Sequence, residues 1–318
     1  MVGIQTPERA AQLSASAEAF LGKLFDARTL RQLLGARTVL QDTGLDSDNL
    51  AFLMLSRIVN MRSASKTDGI YKAPTSAKKA ALLLPAIRSV LEEVRRDVAA
   101  TTYTVVPPTA QLYQRSAEDM SAVETRSVNV VVTSPPYLNN FDFAEMTRMH
   151  LYFWGICGSW REITAEVRAK LIVNTTIALT GHRNMPSHYR AMIADALLPE
   201  LDTIVSVLAQ ERRIRAGKKE YDLLVYPYFA QMTRVLLETQ RCLALGGFIH
   251  VVVADAAFYG VHMSTPQFLA SAMADMGFKA VQCLKLRNRG HRWVLSKRDG
   301  SPTGLGEYHV IAQRESIS

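Results

Sequence analysis

Residues 128–137 read VNVVVTSPPY. Val128–Val132 is β-branched except at Asn129, which is typical of a strand buried on both faces of a parallel sheet. Pro135 and Pro136 end the strand, because proline has no backbone N–H for the sheet ladder and fixes its own φ angle. The stretch therefore predicts a buried strand that ends in a rigid turn.

The residues after this strand repeat a strand–helix–strand pattern. A second apolar strand is predicted at Phe248–Val253, directly after Gly246–Gly247. A helix is predicted to begin at the N-cap Thr265 and to end at Gly277. Two more strands are expected at Ala280–Leu286 and Tyr308–Ala312. This order indicates an α/β fold with a doubly wound sheet.

The residues before the strand have a helical pattern. The clearest case is Ala80–Val98, where apolar residues form one stripe and charged residues lie opposite. Only Leu112–Gln114 is a weak strand candidate ahead of residue 128. The sequence therefore predicts a helical region at residues 1–105.

Composition and charge restrict the class of protein. The chain has 318 residues with 37 Lys and Arg against 29 Asp and Glu, a net charge of +8, which suits a polyanionic partner. Its three cysteines lack CxxC spacing, so neither a disulfide framework nor a metal site is expected. No apolar run reaches the roughly 18–20 residues of a membrane span, and Met1–Ser14 has no signal-peptide pattern. These features predict a cytoplasmic protein without a membrane partner.

The turn at residues 134–137 suits methyl transfer to an exocyclic amino group of a nucleobase. Ligands of open α/β sheets bind at the carboxyl ends of strands. The Ser134 hydroxyl and the Pro135 carbonyl can accept the two amine hydrogens and so direct the nitrogen lone pair. Pro136 would hold the turn, and the Tyr137 ring offers a face on which an extruded base can stack.

Thr133–Tyr137 followed by LNNFDF resembles the catalytic motif of the S-adenosylmethionine-dependent DNA amino-methyltransferases of restriction–modification systems. Serine at the first motif position is more typical of cytosine-N4 enzymes, and Asp or Asn of adenine-N6 enzymes. Ser63–Gly69, Tyr228–Phe229 and Leu243–Gly247 also resemble segments of this family, so the resemblance extends from about Phe20 to the C-terminus.

The resemblance implies a Rossmann-like methyltransferase sheet and a DNA methyltransferase activity that favours cytosine N4 over adenine N6. The catalytic domain would span residues 106–318, with a mainly helical insertion at about 155–225. One alternative is an inactive DNA-binding or specificity subunit of a modification or phage-defence system. Another is methylation of RNA or of protein glutamine, since related motifs serve both.

The glycine-rich turn that holds S-adenosylmethionine in this family, Asp-Pro-Phe-x-Gly-x-Gly, does not occur in the sequence. The only Gly-x-Gly is Gly304–Gly306, which is predicted to be a hairpin loop. Thr133 and Asp255 are weak candidates for cofactor contacts. We therefore expect an incomplete sheet and a split enzyme, with a second polypeptide that carries the glycine-rich motif in a hetero-oligomer. A degenerate relative and a variant cofactor turn remain alternatives.

Two basic runs are candidates for contact with DNA phosphates. They could equally be solvated loops and helix faces. Their residues are Arg212, Arg213 and Arg215 in the first run, and Arg287, Arg289, His291 and Arg292 in the second.

Overall fold

The computed structural model describes residues 13–45, 49–64, 80–100, 110–138, 142–174, 179, 181–214, 219–289 and 304–315. The chain divides into two compact units. Unit 1 comprises Met1–Tyr113 and Phe143–Arg168, and unit 2 comprises Gln114–Asp142 and Ala169–Ser318. None of the described helices is both long and apolar enough to cross a membrane.

In the described residues of unit 1, all regular secondary structure is helical. Each helix contributes buried apolar side chains to one core, as an amphipathic helix should. The helices are α1 (Ala15–Leu21), α2 (Ala27–Asp42), α3 (Asn49–Arg62), α4 (Leu83–Ala100), α5 (Phe143–Phe153) and α6 (Trp160–Glu166). The predicted helical N-terminal region agrees with this architecture.

The helix that follows the predicted catalytic turn, α5, packs within unit 1. The Arg148 guanidinium lies 4.0 Å from the ring centroid of Phe20 and 4.7 Å from that of Trp160, a cation–π arrangement that joins α5 to α1 and α6. Residues 143–168 were expected in the catalytic domain. The packing differs because the apolar side of α5 completes the core of the N-terminal helices.

Unit 2 contains a four-stranded sheet, a short hairpin and helices. Its described helices of five or more residues are α7 (Pro186–Arg190), α8 (Leu198–Ile214), α9 (Tyr221–Cys242) and α10 (Thr265–Asp275). Its strands are β1 (Val128–Thr133), β2 (Leu243–Ala254), β3 (Ala256–Phe258), β4 (Val261–Met263), β5 (Lys279–Asn288) and β6 (Gly306–Gln313).

The sheet has the order β1-β2-β6-β5. β1 and β2 are parallel, with Thr133 opposite Val251, whereas β6 is antiparallel to both β2 and β5. The predicted α/β fold and all four strands of this sheet are confirmed. β2 begins five residues earlier than predicted, at Leu243, since Gly246 and Gly247 lie inside the strand rather than before it.

Gly247 is required where the pairing of β1 and β2 is irregular. The pairing of these strands is irregular between Val128 and Val130. A Cβ atom on Gly247 would lie 2.9 Å from the Asn129 carbonyl oxygen and 2.9 Å from that of Ala244. Because both contacts are to backbone, no side-chain adjustment could relieve them, and only glycine fits this bulge.

One face of the sheet is covered by helices. Ile249, Val251 and Val253 of β2 are at most 1% exposed, as is Val310 of β6. These side chains pack in one core with the apolar residues of α8, α9 and α10. This face therefore behaves as the predicted doubly wound sheet requires.

The opposite face corrects one prediction. β1 was expected to be buried on both faces, yet Val130 and Val132 are 52% and 74% exposed, and Phe248 next to Val130 is 38% exposed. β1 pairs with β2 alone among the described strands, so no described strand lies beside its outer edge to shield these side chains.

Two further boundaries differ from prediction. Helix α10 begins at Thr265 itself, so its N-cap is Ser264 and not Thr265. Pro266 lies in the first turn of the helix with either N-cap, so its position did not distinguish the two. Residues 112–114 form no strand in the structure, so the weak strand candidate there was wrong.

A matched pair of substitutions tests the two faces of the sheet. Val251→Thr should lower the free energy of unfolding by about 1–3 kcal/mol, because it buries a hydroxyl group without a partner. Val132→Thr keeps the β-branched shape on an exposed site and should change it by less than about 0.5 kcal/mol. Urea denaturation followed by circular dichroism measures both. Equal losses would show that the face of Val132 is covered within this chain.

Candidate functional site

The parallel pairing of β1 and β2 brings their carboxyl ends to one edge of the sheet. Ser134–Tyr137 follows β1 and Asp255 follows β2 at this edge. Because β6 is antiparallel to β2, it begins here with Gly306 and Glu307. The last residues of β5, including Arg287, lie opposite them.

Buried residues and a hydrogen bond hold the turn after β1 in place. Pro135 is buried, and Leu138 is fully buried in the core of unit 2. The hydroxyl group of Tyr228, on α9, donates a hydrogen bond of 3.0 Å to the Pro136 carbonyl. Complete burial raises the pKa of Tyr228, so this hydroxyl stays a proton donor. The turn is therefore fixed on both sides of Pro136.

Tyr137 is fixed at its hydroxyl end. Its side chain is half-buried, and its hydroxyl donates a hydrogen bond of 2.7 Å to Oε1 of Glu307. Burial raises the pKa of Tyr137, the Ser134 hydroxyl lowers it, and the Glu307 carboxylate raises it again. The phenol is consequently protonated at neutral pH and acts as the donor in this contact.

Glu307 connects Tyr137 to an arginine. Arg287 Nε donates a hydrogen bond of 2.7 Å to Oε2 of Glu307, the oxygen that Tyr137 does not use. Burial acts to raise the pKa of the Glu307 carboxyl, but the hydrogen bonds from Arg287 and Tyr137 outweigh it and leave the pKa below its ordinary value. The carboxylate is thus ionised and held through both oxygens.

Asp255 holds the beginning of β6. It is 1% exposed, and its Oδ1 accepts a hydrogen bond of 2.7 Å from the Gly306 N–H, while Oδ2 lies 3.2 Å from His262 Nε2. A Cβ atom on Gly306 would lie 2.8 Å from the Lys285 side chain and 2.9 Å from the Tyr308 ring, so both side chains lie close over this glycine. Arg289 Nη1 donates to the Asp255 carbonyl at 3.3 Å.

Thr133 and Asp255, the two candidates for cofactor contacts, lie at this edge but do not form a binding site for the cofactor. Both carboxylate oxygens of Asp255 already have partners within this chain. Thr133 is the last residue of β1 and pairs with Val251. The prediction of a hairpin loop at Gly304–Gly306 was wrong at Gly306, which is the first residue of β6 and pairs with Asn288. The segment leads into a strand and not into a helix. The described residues therefore do not fit S-adenosylmethionine without a further glycine-rich turn.

The predicted phosphate-binding residues lie in two places. Arg287 and Arg289 are beside the turn, at the end of β5. Arg212 and Arg213 are in the last turn of α8, where Arg212 forms an ion pair of 3.1 Å with Asp222. Arg215, His291 and Arg292 lie outside the described residues. No group of acidic, histidine and cysteine residues in the described ranges could hold a metal ion.

Three residues of this edge were missed by sequence reasoning. Glu307 and His262 are distant in sequence from the turn, and Tyr228 was expected only as part of a helix. A signal for Glu307 was available, since an acidic residue at the start of an antiparallel strand faces the end of the preceding strand. Arg287, the second-last residue of that strand, pairs with Glu307 in the structure.

Comparison with known proteins finds a methyltransferase among the relatives of this chain. No protein-family model matches the chain. The chain is 23% identical over 208 residues to the Type II methyltransferase M.BsoBI of Geobacillus stearothermophilus. This similarity supports the methyltransferase family. It covers 62% of this chain and 38% of the relative, so the chain spans about two fifths of the length of the methyltransferase that it matches.

A solved structure also shows a partial match. It is a candidate DNA modification methylase from Thermus thermophilus in complex with S-adenosyl-L-methionine, 16% identical, with a TM-score of 0.24. The superposition covers 29% of this chain and 38% of that chain, which is too little to compare the two folds.

Asp255→Ala tests the buried carboxylate at the start of β6. The substitution should lower the free energy of unfolding by about 1–3 kcal/mol, because the Gly306 N–H loses its acceptor. Asp275→Ala, at an exposed position at the end of α10, is the matched control and should change it by less than about 0.5 kcal/mol. Equal values for the two variants, measured in urea, would contradict the clamping role of Asp255.

Proposed function

We propose that this chain is the catalytic subunit of an S-adenosylmethionine-dependent DNA methyltransferase. The observation that carries the proposal is the Ser134–Tyr137 turn, which is fixed through Tyr228 and Glu307 at the carboxyl edge of a parallel strand pair. A strand that merely ended at two prolines would need no buried tyrosine and no ionised carboxylate to hold it. The similarity to a Type II methyltransferase supports the same activity.

The residues of the turn would act on an extruded base. The exposed Ser134 hydroxyl and the Pro135 carbonyl would accept the two hydrogens of an exocyclic amine, while the Tyr137 ring stacks on the base. The Pro136 carbonyl already accepts a hydrogen bond from the Tyr228 hydroxyl. Pro136 would therefore hold the turn and would not bind the amine. Serine at the first position of the motif favours cytosine N4 over adenine N6 as the acceptor.

DNA fits the charge of this edge better than a neutral substrate does. Arg287 and Arg289 lie beside the turn, and the chain carries a net charge of +8. Guanidinium groups next to the acceptor site would contact the phosphates that flank the extruded base. This charge also argues against a free protein substrate, whereas RNA, which carries the same phosphates, stays an alternative to DNA.

S-adenosylmethionine would supply the methyl group. Since the described residues do not form its cradle, we propose that a second polypeptide contributes the glycine-rich turn. Two features of β1 support such a partner. Its outer backbone edge is unpaired among the described strands, and its apolar side chains Val130 and Val132 are exposed. A partner strand beside β1 would satisfy both and would complete a hetero-oligomer.

A DNA-binding subunit without activity is the second candidate function. The described residues beside Arg287 and Arg289 form no glycine cradle, which favours this candidate because phosphate contacts require no cofactor. The fixed position of Tyr137 favours the enzyme, since phosphate contacts do not require an oriented aromatic ring.

Substitution of Tyr137 tests the acceptor site. Tyr137→Ala should reduce methylation of DNA at least about 100-fold, since base stacking contributes about 1–3 kcal/mol and the amine would also lose its orientation. Ser134→Ala should reduce it about tenfold, because the Pro135 carbonyl remains. Incorporation of labelled methyl groups into DNA by the reconstituted complex measures both. Undiminished activity of a folded Tyr137→Ala variant would refute the assignment.

Calorimetry tests the origin of the cofactor site. The purified chain alone should bind S-adenosylmethionine weakly or not at all, because it lacks the glycine-rich turn. The complex with the glycine-rich polypeptide should bind it. Tight one-to-one binding by the chain alone would refute the need for a partner and would place a variant cofactor turn within this sequence.

A further inference from the structure

Glu307 lies at this edge, and no step of the proposed reaction uses it. It lies 170 positions away from Tyr137 in the sequence, yet its side chain reaches the Tyr137 hydroxyl. We propose that Glu307 is a positioning residue, which fixes the plane of the Tyr137 ring so that the ring receives the extruded base. This inference rests on the proposed function and extends it to a residue outside the motif.

The geometry shows how the carboxylate is itself oriented. Glu307 receives Tyr137 on Oε1 and Arg287 on Oε2, both at 2.7 Å. Arg287 lies directly opposite Glu307 in the antiparallel pair of β5 and β6. The carboxylate is therefore held by a cross-strand partner, and its remaining oxygen is directed to the tyrosine.

The beginning of β6 is also fixed on its other side. Asp255 binds the Gly306 N–H, and the Asp255 N–H donates to the Gly306 carbonyl at 3.2 Å. The backbone that carries Glu307 is thus bound to the end of β2, next to the strand that carries the turn. Tyr137 follows one hydrogen-bonded strand and Glu307 lies in another. The Tyr137 ring therefore has little freedom to change its orientation.

A structural role for the Tyr137 hydroxyl would not require this arrangement. The side chain of Tyr137 is only half-buried, so water could satisfy its hydroxyl. The Glu307 carboxylate is only 14% exposed and is held by Arg287, so it is a fixed acceptor for the phenol, which mobile water is not. A fixed acceptor is expected where the direction of a side chain matters for binding or catalysis.

The position of Glu307 predicts how its loss affects turnover. Without the carboxylate, the ring would rotate about its side-chain bonds, and fewer extruded bases would be held in the reactive orientation. Glu307→Ala should therefore lower kcat about tenfold with little change in the KM for DNA, since the phosphate contacts remain. Glu307→Gln keeps an acceptor oxygen and should recover part of the loss.

Titration of Tyr137 tests the contact without any assay of activity. The absorbance of tyrosinate is followed against pH, and the curve of the Tyr137→Phe variant is subtracted to isolate Tyr137. The charged groups that act on this phenol are Glu307, Arg287 and Arg289, with Ser134 and Tyr228 as neutral neighbours. Glu307→Gln should lower the pKa of Tyr137, because a neutral amide no longer opposes the phenolate.

The matched control for this titration is Glu315→Gln, on an exposed glutamate beyond the other end of β6. It should leave the pKa of Tyr137 unchanged. An unchanged pKa in Glu307→Gln, or equal shifts in both variants, would overturn the proposed contact.

A double-mutant cycle in the methylation assay tests the positioning role. If Glu307 acts only through the Tyr137 hydroxyl, Glu307→Ala combined with Tyr137→Phe should lose no more activity than either variant alone. Losses that multiply would show an independent role for Glu307 and would overturn the proposal. If the wild-type complex methylates no DNA although Glu307→Gln lowers the pKa of Tyr137, the proposed function fails while the Tyr137–Glu307 contact stands.

Discussion

The parallel pairing of β1 with β2 is the interaction on which the rest of unit 2 depends. Parallel strands end at the same side of a sheet, so this pairing places the Ser134–Tyr137 turn beside Asp255. The antiparallel β6 then starts at that side and delivers Glu307. Gly247 makes the pairing possible, since any side chain there would collide with the Asn129 carbonyl. Residues from four strands thus converge on a single turn.

The same pairing leaves β1 in an unusual position. A parallel strand with mainly β-branched residues is normally an interior strand, because the helices of an α/β fold cover both faces. Here the strand has one described neighbour, and Val132 is 74% exposed. An open edge and an apolar face on one strand are costly for an isolated domain, which is why a covering polypeptide is part of the functional proposal.

Local patterns predicted much of this fold from the sequence. The β-branched run at Val128–Val132 favours a strand, and the proline after Thr265 favours a helix start. Both signals are local in sequence, so the strand and the helix were predicted close to their observed positions. Exposure of β1 was not predicted, because burial depends on which strands lie beside it. The packing of α5 in unit 1 was missed for the same reason. An apolar stripe shows that one side of a helix is buried, but not which elements it packs against.

The candidate site divides in the same way. Ser134–Tyr137 is contiguous, and its chemistry can be recognised from residue types alone. Glu307 and Tyr228 join it only through strand register and helix packing, and these contacts connect residues 170 and 92 positions apart. The pairing of Glu307 with Arg287 could be anticipated from strand order, whereas the contact of Glu307 with Tyr137 comes from the structure alone.

Analysis of the modified base tests the central claim most directly. The chain is expressed with the glycine-rich polypeptide in a host that lacks DNA methylation, and nucleosides from its DNA are separated and identified by mass spectrometry. The account predicts N4-methylcytosine in the DNA, and none when either polypeptide is expressed alone. Unmethylated DNA from cells that contain the assembled complex, or methyl groups found only on RNA or protein, would contradict it.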